Sequence, residues 1–166
     1  MSEDNKVGKV GQVEEIKLLN DKTVKLSQLT ISTRKRFMRR LRAIDEVNRE
    51  AAIAMDAKRE EFNDGERTEK EIDRALSRDK EANQILVDQQ DRIDDILVDC
   101  SAICLRKQIG EETAYLDDAE GPENSPNREK YEDIVDMDTV NYINKVCAGI
   151  DFSGASDDED LIQGLV

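Results

Sequence analysis

The sequence contains three cysteines, whose side chains could bind a metal or take part in redox chemistry. Cys100 and Cys104 are four residues apart, which places both side chains on one face of a helix. Cys147 is distant in the sequence, and the chain contains no histidine. A closed zinc site would therefore need carboxylates or a second chain. We interpret Cys100 and Cys104 as small apolar residues in a packed helix, and we predict no cofactor and no metal.

Acidic pairs recur along the chain, as at Asp94–Asp95 and around Asp133, Asp136 and Asp138. Paired carboxylates can bind magnesium or act as general acid and base. The formal net charge is −14, from 39 acidic and 25 basic residues, so such pairs arise from composition alone. The sequence also lacks a phosphate-binding loop, a dinucleotide fingerprint and a nucleophile elbow. It therefore predicts a protein that binds other proteins and is not an enzyme.

A basic cluster stands out against this acidic background at the start of the first predicted helix. It consists of Arg34, Lys35, Arg36, Arg39, Arg40 and Arg42. Two turns of basic helix can bind phosphates, so a nucleic-acid-binding regulator is one hypothesis. The remaining surface would repel a polyanion, which makes nucleic acid the weaker interpretation. The preferred one is an electrostatic partner within the chain or in another subunit, namely the acidic second helix and the acidic tail.

The elements that must position these residues are predicted from hydrophobic spacing. Residues 12–19 and 23–29 alternate in polarity around a polar turn, which predicts a β-hairpin. Residues 33–62 carry apolar side chains at every third or fourth position, which predicts a helix. We expect Ser32 or Thr33 to cap its start.

A second helix is predicted to follow directly, after a turn that contains Gly65. Thr68 begins a capping box, and apolar heptad ladders then run as far as Cys104, with Asp79 as one polar position. The short turn makes the two helices antiparallel neighbours. A shorter helix at 130–148, which Asp136 or Asp138 would cap, follows a segment rich in glycine, proline and acids.

The predicted fold class is mainly α. A short N-terminal β-hairpin is followed by a long antiparallel helical hairpin, a short C-terminal helix and an acidic disordered tail. The predicted organisation is a flexible leader at 1–11, the two hairpins at 12–109, an acidic linker at 110–128, a short helical segment at 129–152 and the tail at 153–166. The polar start and the lack of an apolar run of about 20 residues predict a cytoplasmic protein with no membrane partner.

Residues 13–38 resemble the opening of the tail assembly chaperones of long-tailed bacteriophages. The resemblance rests on a polar turn between two strands, the phrase Val24-Lys25-Leu26-Ser27-Gln28-Leu29-Thr30-Ile31, and the pair Phe37-Met38 in a basic helix. Where the family often has Arg-Pro, this chain has Ser27-Gln28. A later helix from Asp136-Met137-Asp138 to Gly149-Ile150 is similar as well.

The resemblance implies a chaperone of the host cytoplasm that coats the tape-measure protein and helps to recruit tail-tube subunits. We predict that its partner surface lies within residues 26–44. The predicted contact residues are Leu26, Leu29, Ile31, Phe37, Met38, Leu41 and Ile44. The alternatives are a structural virion protein, such as a minor tail or baseplate part, and the nucleic-acid-binding regulator. The open edge of the hairpin would also permit self-association into a homo-oligomer.

Overall fold

A computed structural model describes residues 13–152 of the chain. The fold is mainly helical, with an N-terminal two-stranded antiparallel sheet followed by long helices, which confirms the predicted fold class. The chain divides into two units. The hairpin unit comprises residues 13–41 and 96–152 of the described part, and the helical unit is Arg42–Asp95. This division differs from the predicted one, in which 12–109 formed one region, because the C-terminal segments pack with the hairpin and not apart from it.

Strands β1 (Glu14–Lys17) and β2 (Thr23–Leu26) form the predicted hairpin. Asp21 has a φ of 65° in the turn, and the N–H of Lys22 donates to Oδ1 of Asn20 at 3.1 Å. Asn and Asp stabilise such turns because their short side chains hydrogen-bond to the nearby backbone. The strands are shorter than predicted, but the turn lies where the sequence places it.

One side chain covers the outer edge of β2. The N–H of Lys25 donates to Oε1 of Gln108 at 2.7 Å, and Nε2 of Gln108 donates to the C=O of Lys25 at 2.6 Å. The Gln108 amide therefore takes the place of a third strand at this position. On the inner side of β2, Val24 and Leu26 are fully buried.

Helix α1 (Ile31–Leu41) begins two residues before the predicted start. Oγ1 of Thr30 accepts the N–H of Thr33 at 3.3 Å, and the C=O of Thr30 accepts the N–H of Arg34 at 2.8 Å. Thr30 therefore caps the helix, and the prediction that Ser32 or Thr33 does so is wrong. The physical reason is that a cap residue precedes the first helical turn, and its side chain reaches the N–H three residues ahead.

Helices α2 (Ala43–Phe62) and α3 (Glu69–Arg78) form the predicted helical hairpin within the helical unit. The capping box at Thr68 is confirmed, since Thr68 and Glu71 each accept the other's backbone N–H through their side chains. Gly65 has a φ of 83° in the turn, a conformation that favours glycine.

The long second helix is divided at Asp79, which ends α3 and precedes α4 (Lys80–Leu105). Asp79 has an extended ψ of 127°, and its Oδ2 accepts the N–H of Ala82 at 2.8 Å. An aspartate in this position caps a new helix, so the polar position in the predicted heptad ladder is a helix start. Leu86, the next apolar member of that ladder, is 47% exposed.

The helical unit has a small core. Ile72, Leu76 and Ala82 are buried together, and Met55 and Phe62 pack against them.

The predicted helix over 33–62 is also divided into two helices, since α1 ends at Leu41 and α2 begins at Ala43.

Residues 110–128 are structured, in contrast to the predicted flexible linker. They contain two short 3-10 helices, Ala114–Asp117 and Pro122–Asn124, and they bury Thr113 and Tyr115. The composition suggested a linker because glycine, proline and acids dominate. The segment is held instead by polar side chains that bond to a buried carboxylate, as described below.

The predicted helix at 130–148 is divided into α5 (Arg128–Glu132) and α6 (Met137–Ala148). Oδ1 of Asp136 accepts the N–H of Thr139 at 2.7 Å, which confirms Asp136 as a cap, and Gly149 ends α6 with a φ of 76°. The predicted leader at 1–11 and acidic tail at 153–166 lie outside the described residues. No helix in the described part of the chain is both long and apolar enough to cross a membrane.

Candidate functional site

The most densely bonded side chain in the hairpin unit is the carboxylate of Asp99, on α4. Asp99 is fully buried. Its Oδ2 accepts hydrogen bonds from Nε and Nη2 of Arg40 at 2.9 and 2.6 Å. Nη2 of Arg128 donates to Oδ1 and Oδ2 at 2.7 and 2.6 Å, and the hydroxyl of Tyr115 donates to Oδ1 at 2.8 Å. Two cations and one phenol therefore surround a single carboxylate.

A second carboxylate balances the charge. Nη1 of Arg40 donates to Oε1 of Glu123 at 2.7 Å, and Nη1 of Arg128 donates to the C=O of the same residue at 3.2 Å. The guanidinium of Arg128 also lies 5.5 Å from the centre of the Tyr115 ring. We call Arg40, Asp99, Tyr115, Glu123 and Arg128 the polar cluster. It joins α1, α4, both 3-10 helices and α5.

The hydrogen bonds of the polar cluster stabilise the packing of α1, α4, both 3-10 helices and α5 against one another. Both oxygens of Asp99 accept hydrogen bonds from side chains of other elements, so the carboxylate links those elements. Burial, followed by the negative charge of Asp99, raises the pKa of Tyr115 well above its usual value. A buried ion pair with satisfied hydrogen bonds favours one arrangement of the groups around it.

The cysteine pair of the structure is not the pair that the sequence places on one face. Cys104 of α4 and Cys147 of α6 are near enough to shift each other's pKa, whereas the Sγ of Cys100 lies 3.7 Å from the C=O of Phe37. The interaction between the two thiols raises the pKa of Cys104 and lowers that of Cys147. Burial raises the pKa of Cys100. All three are free thiols. Within residues 13–152, no group of three or more Cys, Asp or Glu side chains could hold a metal ion.

Two of the six cations in the predicted basic cluster bond within the hairpin unit. Arg40 belongs to the polar cluster. Nη1 of Arg34 donates to the C=O of Ala148 at 3.0 Å, at the C-terminal end of α6. A cation is favourable there because the exposed carbonyls carry partial negative charge.

The other four cations are exposed. Lys35, Arg36 and Arg39 lie on α1, and Arg42 is the first residue of the helical unit. None of the four forms an ion pair with any residue between 13 and 152. We call Lys35, Arg36 and Arg39 the basic face of α1. It lies opposite the side of the helix that buries Phe37.

The predicted partner-binding residues fall into two groups. Leu26, Phe37, Leu41 and Ile44 are at most 2% exposed, so a partner could touch them only if the fold opened. The members that reach the surface are Leu29, Ile31 and Met38, of which Ile31 is 78% exposed and the other two are half-buried. Apolar spacing marks a helix face but does not say whether that face contacts the core or a partner. For these three residues, partner binding stays a prediction.

Asp99, Tyr115, Arg128 and the thiol partner of Cys104 were not predicted from the sequence. One signal was available for Asp99, because it is the only charged residue in the ten positions 96–105. A lone acid in an apolar helical run is costly to bury unless it is paired. Its partners are 59, 29 and 16 residues away in the chain, and no spacing rule connects them.

The sequence matches no protein-family model, and no curated protein or solved structure matches it at a significant level. The relation to tail assembly chaperones therefore stays a prediction from the residues quoted above.

Proposed function

We propose that this protein is a non-catalytic tail assembly chaperone that binds the tape-measure protein and helps to recruit tail-tube subunits. The observation that carries the proposal is the resemblance over residues 13–38. Its order of strand, turn, strand and basic helix is also the order of β1, β2 and α1.

Part of the predicted client surface is accessible. Ile31 and Met38 are seven residues apart, which puts them on the same side of α1. Ile31 is exposed, and Met38, two turns along the helix, is half-buried. An amphipathic client helix could pack against this stripe by inserting its own apolar side chains between the two. Leu29 precedes this stripe and is half-buried.

The charge of the chain also supports a chaperone. A formal net charge of −14 keeps a protein soluble and opposes self-association, which is what a complex with an apolar client requires. Seventeen of the acidic residues lie in the helical unit, against ten basic ones. Neither coating a client nor recruiting a subunit needs a catalytic group.

Co-expression tests the proposal. The full chain should raise the soluble fraction of the tape-measure protein from the same genome several-fold. Ile31→Asp should remove most of this gain, because it places a charge in the apolar stripe. Ile53→Asp is the matched control, since Ile53 is a similarly exposed isoleucine in the helical unit, 64% against 78%. A tape-measure protein that is equally insoluble with and without the wild-type chain would overturn the proposal.

Mass spectrometry of purified particles separates the chaperone from a structural virion protein. A chaperone is released during assembly, so we expect its peptides to be missing from finished particles. Its presence in stoichiometric amount would contradict the proposal and favour the structural alternative.

A further inference from the structure

The basic face of α1 lacks an anionic partner in the described part of the chain. Lys35, Arg36 and Arg39 are exposed, and α1 itself contains no acidic residue. Lys35 and Arg39 are four residues apart and Arg36 and Arg39 three apart, so their side chains repel one another. An anion bound across this face would remove that repulsion.

The structure brings the end of the described chain to the same helix. Nη1 of Arg34 donates to the C=O of Ala148, and the N–H of Leu29 donates to the C=O of Cys147 at 3.2 Å. Phe152, only 7% exposed, then anchors the last described residues in the hairpin unit. The chain therefore continues from a fixed point four residues beyond a direct contact with the first turn of α1.

The sequence beyond this anchor has the complementary charge. Residues 153–156 are Ser-Gly-Ala-Ser, and the acidic segment Asp157-Asp158-Glu159-Asp160 follows. We propose that this acidic segment binds the basic face of α1. Asp157 is five residues beyond the anchored Phe152, and this stretch can span up to about 17 Å, whereas Arg34 and Arg39 are about 8 Å apart along the helix axis. A linker this short also gives an effective concentration in the millimolar range.

Other cations of the hairpin unit fit the acidic segment less well. Arg106 pairs with Asp117, and Nζ of Lys145 lies 3.6 Å from Asp151. The exposed Lys17, Lys22, Lys25, Lys107 and Lys130 are spread over the hairpin, the end of α4 and α5. Within the described part of the hairpin unit, only α1 presents three exposed cations within two helical turns. Binding there would screen this basic helix from other polyanions.

Carbodiimide cross-linking of the full chain tests the contact directly, because this reagent joins an amine to a carboxylate that touches it. We expect the main product to link Lys35 to residues 157–160 and to fall several-fold in 0.5 M NaCl, where the screening length is about 4 Å. Lys35→Arg keeps the charge and should abolish this product. Mixing isotope-labelled and unlabelled chains distinguishes a link within one chain from one between two. A product dominated by any lysine other than Lys35, or by links between chains, would overturn the proposal.

A competition experiment provides a second readout. The probe is a fluorescein-labelled peptide of residues 153–166, and the receptor is the full chain with Asp157→Asn, Asp158→Asn, Glu159→Gln and Asp160→Asn. This variant should bind the probe about tenfold more tightly than the wild type, whose own segment occupies the face.

Adding Lys35→Ala, Arg36→Ala and Arg39→Ala to that variant should remove probe binding. The matched triple of Lys22→Ala, Lys25→Ala and Lys107→Ala should retain it. Equal binding by the wild type and the neutralised variant, or loss with the matched triple alone, would contradict the proposal. The contact does not depend on the proposed function, so a failed co-expression test would leave it standing.

Discussion

Asp99 illustrates, at the scale of the residue, how one buried charge organises its surroundings. Taking a carboxylate and two guanidinium groups out of water is unfavourable, and it is offset only if their hydrogen bonds are satisfied. The donors come from Arg40, Tyr115 and Arg128, which lie on three different elements. Segment 110–128 therefore folds because its polar side chains complete this cluster. Its composition alone predicts a linker, because composition records polarity and not the partner that each polar group finds.

Asp99→Asn is expected to lower the free energy of unfolding by about 3–5 kcal/mol, since it leaves two buried guanidinium groups facing a neutral amide. Equilibrium unfolding in urea measures the change. Asp88→Asn is the matched control, because Asp88 is exposed on the same helix and should change the stability by less than about 0.5 kcal/mol. Similar values for the two variants would mean that the polar cluster contributes little.

At the scale of the element, local signals were predictable and long-range ones were not. The hairpin turn, the capping box at Thr68 and the cap at Asp136 each depend on residues within four positions of one another, and all three were predicted. The division at Asp79 was missed because an aspartate within an apolar ladder has two interpretations. It is either a tolerated polar position or the cap of a new helix, and the ladder continues on both sides.

The cap at Asp79 gives a dependence on pH. Its pKa is lowered, chiefly because the carboxylate accepts the N–H of Ala82, with Lys58 contributing at 3.3 Å. A group whose pKa is lower in the folded state stabilises the fold above its unfolded pKa and loses that effect as pH falls. The stability advantage of the wild type over Asp79→Ala should therefore be constant from pH 7 to pH 5 and shrink below about pH 4.

Urea unfolding of both proteins at pH 6 and pH 3 checks this dependence. As the pH falls, other carboxylates become protonated and the overall charge repulsion weakens in both proteins. Taking the difference between their free energies of unfolding cancels this shared effect. Ser77→Ala is the control, because its side chain does not titrate and its effect should not change with pH. An Asp79→Ala difference that is the same at both pH values would show that the carboxylate charge is not what caps α4.

At the scale of the whole molecule, the fold class was predictable but the grouping of its elements was not. Periodicity identifies each helix by its own residues, whereas grouping depends on contacts between residues far apart in sequence. The residues before Leu41 belong with those after Ile96, and helix α4 contributes to both units.

The cores of the two units also differ in composition. The hairpin unit buries two tyrosines and two phenylalanines, whereas the cluster of Ile72, Leu76 and Ala82 in the helical unit is aliphatic, with Phe62 only partly buried against it.

This difference predicts that the helical unit opens more readily than the hairpin unit. Leu76→Ala removes part of the small core, and a buried leucine truncated to alanine costs about 2–5 kcal/mol. Amide exchange of residues 69–95 should therefore accelerate by at least about 30-fold, while that of residues 97–105 changes little. Tyr131 is a fully buried tyrosine of the hairpin unit, so Tyr131→Ala is the reciprocal variant and should accelerate exchange there. Equal acceleration of both ranges by Leu76→Ala would instead mean that the two units unfold together, as a continuous α4 could require.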